Sequence, residues 1–248
     1  TDVFVVGDNG TILHYDGNKE MKWTTMKSGT FKPLYGVWGS SATEVFAVGH
    51  STKNPQYNTI PHYDGNRWTE MAGNKTYPLK SVWGSSATNV FTVGDFGTIL
   101  HYDGRQWTEM ESEMTSSKTY CLKSIWGSSG TNVFAVGDNG TILHYHGRKW
   151  KTITRGTFYS LNGIWGSSAT NVIVVGDFGT ILHYNGNRRM EWTQMNSRTF
   201  SSLKGVWGSS ATEVFAVGAN GTILYYNGNR SMEWTKITPD FPEFPENF

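Results

Sequence analysis

Short apolar runs of four to six residues recur along the chain, each bounded by Gly, Ser, Asn or Asp. The clearest unit is LKGVWGSSATEVFAVGANGTILYYNGNRSMEWTKI, residues 203–237. Its runs LKGVW, EVFAVG and GTILYY, and a fourth that opens at Trp234, are rich in β-branched and aromatic residues, which suit a pleated, half-buried surface. No ten-residue segment keeps a helical period. The pattern therefore predicts four short strands per unit, named a to d in chain order. The turns between b and c read GDNG, GDFG, GDNG, GDFG and GANG in five of six copies. Such residues tolerate the positive φ that a tight hairpin requires.

All eleven tryptophans fall on this pattern. Trp38, Trp83, Trp126, Trp165 and Trp207 end the expected strand a and open Trp-Gly-Ser-Ser, at spacings of 45, 43, 39 and 42 residues. Trp23, Trp68, Trp107, Trp150, Trp192 and Trp234 open strand d. A period near 42 with aromatic and glycine marks is the signature of a propeller array. The expected fold is an all-β, six-bladed β-propeller with four antiparallel strands per blade, occupying residues 1–238 as one domain, with 239–248 as a Pro/Phe-rich tail. Strands b, c and d occur six times but strand a only five, so the first blade lacks its innermost strand. Three readings stand for that gap: the natural chain continues upstream, the tail PDFPEFPENF fills it, or the blade is three-stranded. The three prolines make the tail a poor central strand, because each removes a ladder donor.

Departures from the repeat point to one end of the disc. The b–c turns and d–a connectors share that end. It carries six extra residues within HSTKNPQYNTI, inside the 50–60 loop, and a longer connector from Glu111 to Ser117. Loops carry function more often than scaffold does. Each connector also holds Thr and an aromatic, giving Phe31, Tyr77, Tyr120, Phe158 and Phe200. The b–c turns add Asp8, Asp95, Asp138 and Asp177, with Phe96 and Phe178 at two turn tips. Aromatic faces beside carboxylates suit a sugar, whose C–H face stacks on a ring while its hydroxyls donate to oxygen. The same residues also serve turns and blade packing.

Composition excludes more than it suggests. A net charge of +1 gives no electrostatic case for nucleic acid or an anionic membrane surface. The single Cys121 rules out an internal disulfide framework, and no apolar run reaches the length of a spanning helix. Histidine recurs at one position of strand c, in His14, His62, His101, His144 and His183. Equivalent positions of neighbouring blades lie too far apart to share a metal ion, so a repeated packing or hydrogen-bonding role is expected, with no metal and no cofactor. No nucleophile, P-loop, metalloprotease or EF-hand motif is present. A non-enzymatic protein is expected.

The block EVFAVGxNGTILHYDGNxWT resembles the WGSSATDVFAVG repeat arrays of bacterial surface and secreted proteins, and its order of aromatic, VFAVG, ILHY and Trp is similar to tectonin-type propeller lectins. A weaker similarity runs to photosystem II assembly-factor-like and sialidase-like propellers, through Tyr63-Asp64-Gly65-Asn66-Arg67-Trp68. The resemblance implies an extracellular, cell-surface or periplasmic setting. Two functions follow as expectations. One is multivalent glycan binding at equivalent weak sites. The alternative is a protein-interaction or assembly scaffold that uses the 50–60 loop face.

Overall fold

A computed structural model describes residues 2–17, 22–50, 58–71, 77–113, 120–153, 157–187, 189, 191–229 and 231–238. The 51–57 insertion, most of the long third connector and the tail 239–248 lie outside the described residues. The rest forms six antiparallel sheets in sequence order. The inner strands a are Leu34–Ser41, Leu79–Ser86, Leu122–Ser129, Leu161–Ser168 and Leu203–Ser210, in blades 2 to 6. Strands b are Val3–Val6, Glu44–His50, Asn89–Gly94, Asn132–Gly137, Asn171–Gly176 and Glu213–Gly218. Strands c run Ile12–Tyr15, Ile99–Tyr102, Ile142–Tyr145, Ile181–Tyr184 and Ile223–Tyr226, while blade 2 builds its c from Asn58–Thr59 and Pro61–Tyr63. Strand d is short, two or three residues, as in Trp107–Glu109. The first sheet has three strands, b-c-d, as expected. Among the described residues no helix is long and apolar enough to cross a membrane.

The b–c turns behave as their residues require. Asn9, Asn139 and Asn220 sit in the left-handed region at φ 54–56°, each followed by a glycine that is also left-handed. Four of these turns, Asp8–Gly10, Asp95–Gly97, Asp138–Gly140 and Asp177–Gly179, are closed by the backbone N–H of the following threonine donating to the aspartate carbonyl at 3.0–3.1 Å. Asn tolerates this backbone; a phenylalanine there is an outlier. Phe96 and Phe178 nonetheless adopt φ 56° and 53°.

Cohesion comes from joints between blades. Phe91 of strand b in blade 3 packs at a tilt against Tyr145 of blade 4 and meets the edge of Trp150 at 6.3 Å and 81°. Phe46 meets Tyr102 and Trp107 in the same way, Phe134 meets Tyr184 and Trp192, and Phe4 meets Tyr63 and Trp68. Blade 5 has Ile173 in place of the ring, packed with Tyr226 and Trp234. At the inner strands, Trp38, Trp83, Trp126 and Trp165 lie over Gly84, Gly127, Gly166 and Gly208 of the next blade, so closely that a Cβ there would be 2.6–2.8 Å from the ring. The Trp-Gly-Ser-Ser motif is thus the joint itself, tryptophan reaching forward and glycine receiving. Each joint from blade 1/2 to blade 5/6 has one buried cluster. Among the described residues blades 6 and 1 share none.

The repeated histidines lock strand c to strand b. Nε2 of His101, His144 and His183 pairs with Oδ1 of Asn89, Asn132 and Asn171, and that of His14 and His62 with Asp2 and Glu44. His144 also stacks on Phe134 at 4.3 Å. Burial, with His146 nearby, brings the His144 imidazole down to about 4. These are the hydrogen-bonding and packing roles expected from the repeat.

Candidate functional site

Strands a and b pair with a regular defect. In blade 3 Leu79 faces Gly94 and Ser81 faces Val93, leaving Lys80 without a partner in the register. The same bulge skips Tyr35, Lys123, Asn162 and Lys204 in the other blades. A bulge re-aims its extra residue. Here it turns that side chain toward the b–c turns, where the aspartates sit.

Lys123 Nζ lies 2.8 Å from Asp138 Oδ1, Lys80 3.5 Å from Asp95 and Lys204 3.5 Å from Asp177. Lys123 also donates to Asn162 Oδ1 at 3.2 Å, and Asn162 Nδ2 donates to Asp177 Oδ1 at 2.9 Å. Ser160 and Ser202, one residue before the inner strands of blades 5 and 6, donate to Asp138 and Asp177 of the preceding blades. Cys121 Sγ donates to Asp95 Oδ1 at 2.9 Å, while its backbone N–H donates to Asp138 Oδ2. The result is a belt of alternating charge across blades 3 to 6. Burial works against ionisation of Asp138, yet Lys123, the Cys121 N–H and Ser160 together hold it below the usual carboxylate range. Asp177 is lowered likewise, burial being outweighed by Ser202, Asn162 and Lys204. Burial, followed by the Asp95 hydrogen bond, pushes the Cys121 thiol up to about 12. A thiol held so far from thiolate is a poor nucleophile at neutral pH. The belt stops at blade 2, where Tyr35 stacks on His50 at 5.4 Å with Lys80 Nζ 4.8 Å from its ring centre.

Around the belt stand aromatic rings. Phe31, Phe158 and Phe200 are 89%, 82% and 89% exposed, among the most open large side chains described. Phe96, Phe178, Tyr159 and Tyr35 are exposed on the same end. Tyr77 packs on Phe96 at 4.3 Å and Tyr159 on Phe178 at 4.8 Å. Counting connectors forward from threonine puts Tyr77 and Tyr120 level with the phenylalanines. Counting back from the first leucine of strand a separates two positions: Phe31, Phe158 and Phe200 three residues before it, Tyr77, Tyr120 and Tyr159 two before it. The structure follows the second count. Tyr120 is buried against Gly97 of the preceding blade and is no surface ring. Asp8 alone of the four aspartates is exposed; Asp95, Asp138 and Asp177 engage the belt. The expected aromatic–carboxylate constellation therefore divides into an exposed aromatic rim and an internally paired polar belt. Tyr159, Tyr35 and the bulge lysines were missed as site residues, although alignment from the leucine would have revealed their recurrence.

Two cavities repeat one design. One, about 680 Å³, lies between Phe178–Gly179 and the connector from Gln194 to Phe200. The other, about 460 Å³, lies between Asn9–Thr11 and the connector from Thr25 to Phe31. Among the described residues no group of three or more His, Cys, Asp or Glu side chains is arranged to hold a metal ion.

Solved structures share this architecture. YCF48 bound to D1 peptide superposes with a TM-score of 0.71 at 16% identity, over 95% of this chain and 76% of that one. YCF48 from Cyanidioschyzon merolae gives 0.74 at 13% identity, over 95% and 81%. The WD40 repeats of RRP9 give 0.72 at 10% identity, over 88% and 69%. The fold is a β-propeller. No protein-family model matches the chain, and no curated protein matches it. Likeness at these identities shows architecture alone.

Proposed function

We propose that this propeller is a non-enzymatic protein-binding module that takes a peptide segment or loop of its partner on the aromatic rim. The observation that carries the reading is the concentration of seven exposed rings, Phe31, Tyr35, Phe96, Phe158, Tyr159, Phe178 and Phe200, on one end of the disc. Large exposed aromatics on a soluble surface mark interaction sites, and aromatic anchors dominate binding energy. Phe96 and Phe178 add a second argument. The repeat offers Asn at their left-handed position, so each ring is retained against backbone strain. The charged belt supplies polar partners for a peptide backbone without a strong net field. A peptide-bound YCF48 among the similar folds accords with this use of a propeller face.

Multivalent glycan binding remains a second reading because of one observation: the Phe31 and Phe200 cavities are equivalent in the repeat, as avidity at several weak sites requires. Immobilised chain panned against a random peptide library and a glycan array tests both. The protein-binding reading expects peptides that bind at one site per chain and are lost from a Phe158→Ser/Phe200→Ser double variant. Saturable glycan binding at two or more sites, with no peptide retained, would overturn it in favour of the lectin reading.

A further inference from the structure

The rim exposes more apolar surface than a peptide strip covers. Its seven rings are between 44% and 89% exposed. At roughly 200 Å² for a whole aromatic side chain, they leave on the order of 900 Å² uncovered. The largest apolar patch on a monomer is ordinarily about 300–600 Å², whereas a standard interface takes about 800 Å² from each partner. Four of the rings are continuous across blades 5 and 6. Tyr159 packs on Phe178 at 4.8 Å, Phe178 and Phe200 wall one cavity of about 680 Å³, and Phe158 adjoins Tyr159 in the chain. The others carry the rim round blades 2 and 3, so its full cover is a surface as wide as the disc. The belt inside the rim is neutral in itself. Lys80, Lys123 and Lys204 stand 3.5, 2.8 and 3.5 Å from Asp95, Asp138 and Asp177. In a two-fold interface each surface meets its own copy, so a face of one sign repels itself, while interleaved signs are self-complementary. The net charge of +1 adds little long-range repulsion between copies.

We propose that the rim end is a self-association surface whose partner is a second copy of this chain, packed rim to rim about a two-fold axis. The exposed phenylalanines of each copy are buried against the rim and recesses of the other, and belt faces belt. The area and the balanced charge both select this partner. A strongly acidic or basic partner would find each belt charge already matched, and a short peptide would leave much of the aromatic surface in water. The proposal goes beyond peptide binding and does not depend on it. Where both occur they compete for one surface, so the dimer keeps the rings covered until a peptide displaces the second copy.

Sedimentation equilibrium of the full chain with no ligand added, from ~1 to ~100 μM, tests this together with hydrogen exchange at both ends of that range. The expected result is a monomer–dimer equilibrium. In the dimer, exchange slows at least ~5-fold in the rim segments 157–160, 177–180 and 199–202 and is unchanged in the a–b turns at the other end of the disc. The Phe158→Ser/Phe200→Ser double variant acts twice in a two-fold interface and is expected to weaken association at least ~100-fold. Both side chains are exposed, and an unchanged urea midpoint shows that the variant folds. Exchange in the unaltered chain answers the question without any variant. A chain that stays monomeric to ~100 μM overturns the proposal. So does a dimer that the double variant leaves unaffected, or one whose protection falls on Val3–Val6 or the a–b turns and not on the rim. Peptide selection that yields nothing while the rim dimer forms would remove the peptide reading alone.

Discussion

Trp150 and Trp23 hold the same place in the repeat and end in opposite environments. Trp150 is fully buried, meeting Phe91 of the preceding blade edge-on at 81°, with Tyr145 of its own blade tilted against it at 5.4 Å. Trp23 keeps the equivalent partner in its own blade, Tyr15 at 5.6 Å, yet remains 45% exposed. The difference is the preceding blade alone. A blade of this protein cannot bury its own aromatic residues; each is completed by its neighbour, as in other one-dimensional repeat arrays. Stability therefore resides in joints, and among the described residues the end blades are held from one side.

The largest test of that comparison is truncation. Trp150→Ala is expected to cost about 3–5 kcal/mol of unfolding free energy by lost transfer and cavity terms. Trp23→Ala is expected to cost under about 1 kcal/mol by urea denaturation, as for an exposed side chain. Equal losses would break the argument that the neighbour does the burying. Gly127→Ala forces a Cβ to 2.6 Å from Trp83 and is expected to cost about 1–3 kcal/mol through overpacking. At Gly39, where the nearest atoms are Val45 Cγ2 at 3.0 Å and Ser41 O at 3.1 Å, the same change should cost less.

Acid sharpens the contrast within blades. His144 sits at about 4, below its ordinary 6.5, because burial disfavours the imidazolium. Its neutral form contributes fully at pH 7. That contribution is lost as pH falls from about 6.5 toward about 4, where the unfolded chain takes up a proton that the folded chain refuses. The loss is roughly 2 kcal/mol by pH 5. Urea midpoints of the native chain between pH 7 and pH 5 should show it, and His144→Gln should flatten that part of the profile. The smallest expected effect has the opposite sign. Phe178→Asn restores the residue that its left-handed turn favours and should stabilise by about 0.5–1 kcal/mol, while binding of any rim-dependent peptide falls. Weakened stability would mean that packing on Tyr159 outweighs the backbone strain.

The two regions were not equally readable beforehand. Strand positions, blade number, the three-stranded first blade and the left-handed turns were all visible in the chain, because alternation and turn chemistry act over a few residues. The rim was half visible. Phe31, Phe158 and Phe200 were named and are exposed, but Tyr120, assigned the same role, is buried. One residue more or less between threonine and leucine moves a ring from solvent to the joint. The aspartates were read both as turn residues and as candidate acceptors for a sugar. Their engagement with Lys80, Lys123 and Lys204 was not, since it depends on the bulge that turns those lysines out of register.

The amino-acid pattern by itself determined the six-bladed array and the sites of its turns. Tertiary structure alone decided which rings face solvent, which carboxylates are already paired, and that the tryptophan of one inner strand seats on the glycine of the next in blades 2 to 6. Those properties depend on atoms some forty residues away in the next blade, and a local pattern names such neighbours without fixing how far each side chain reaches toward them.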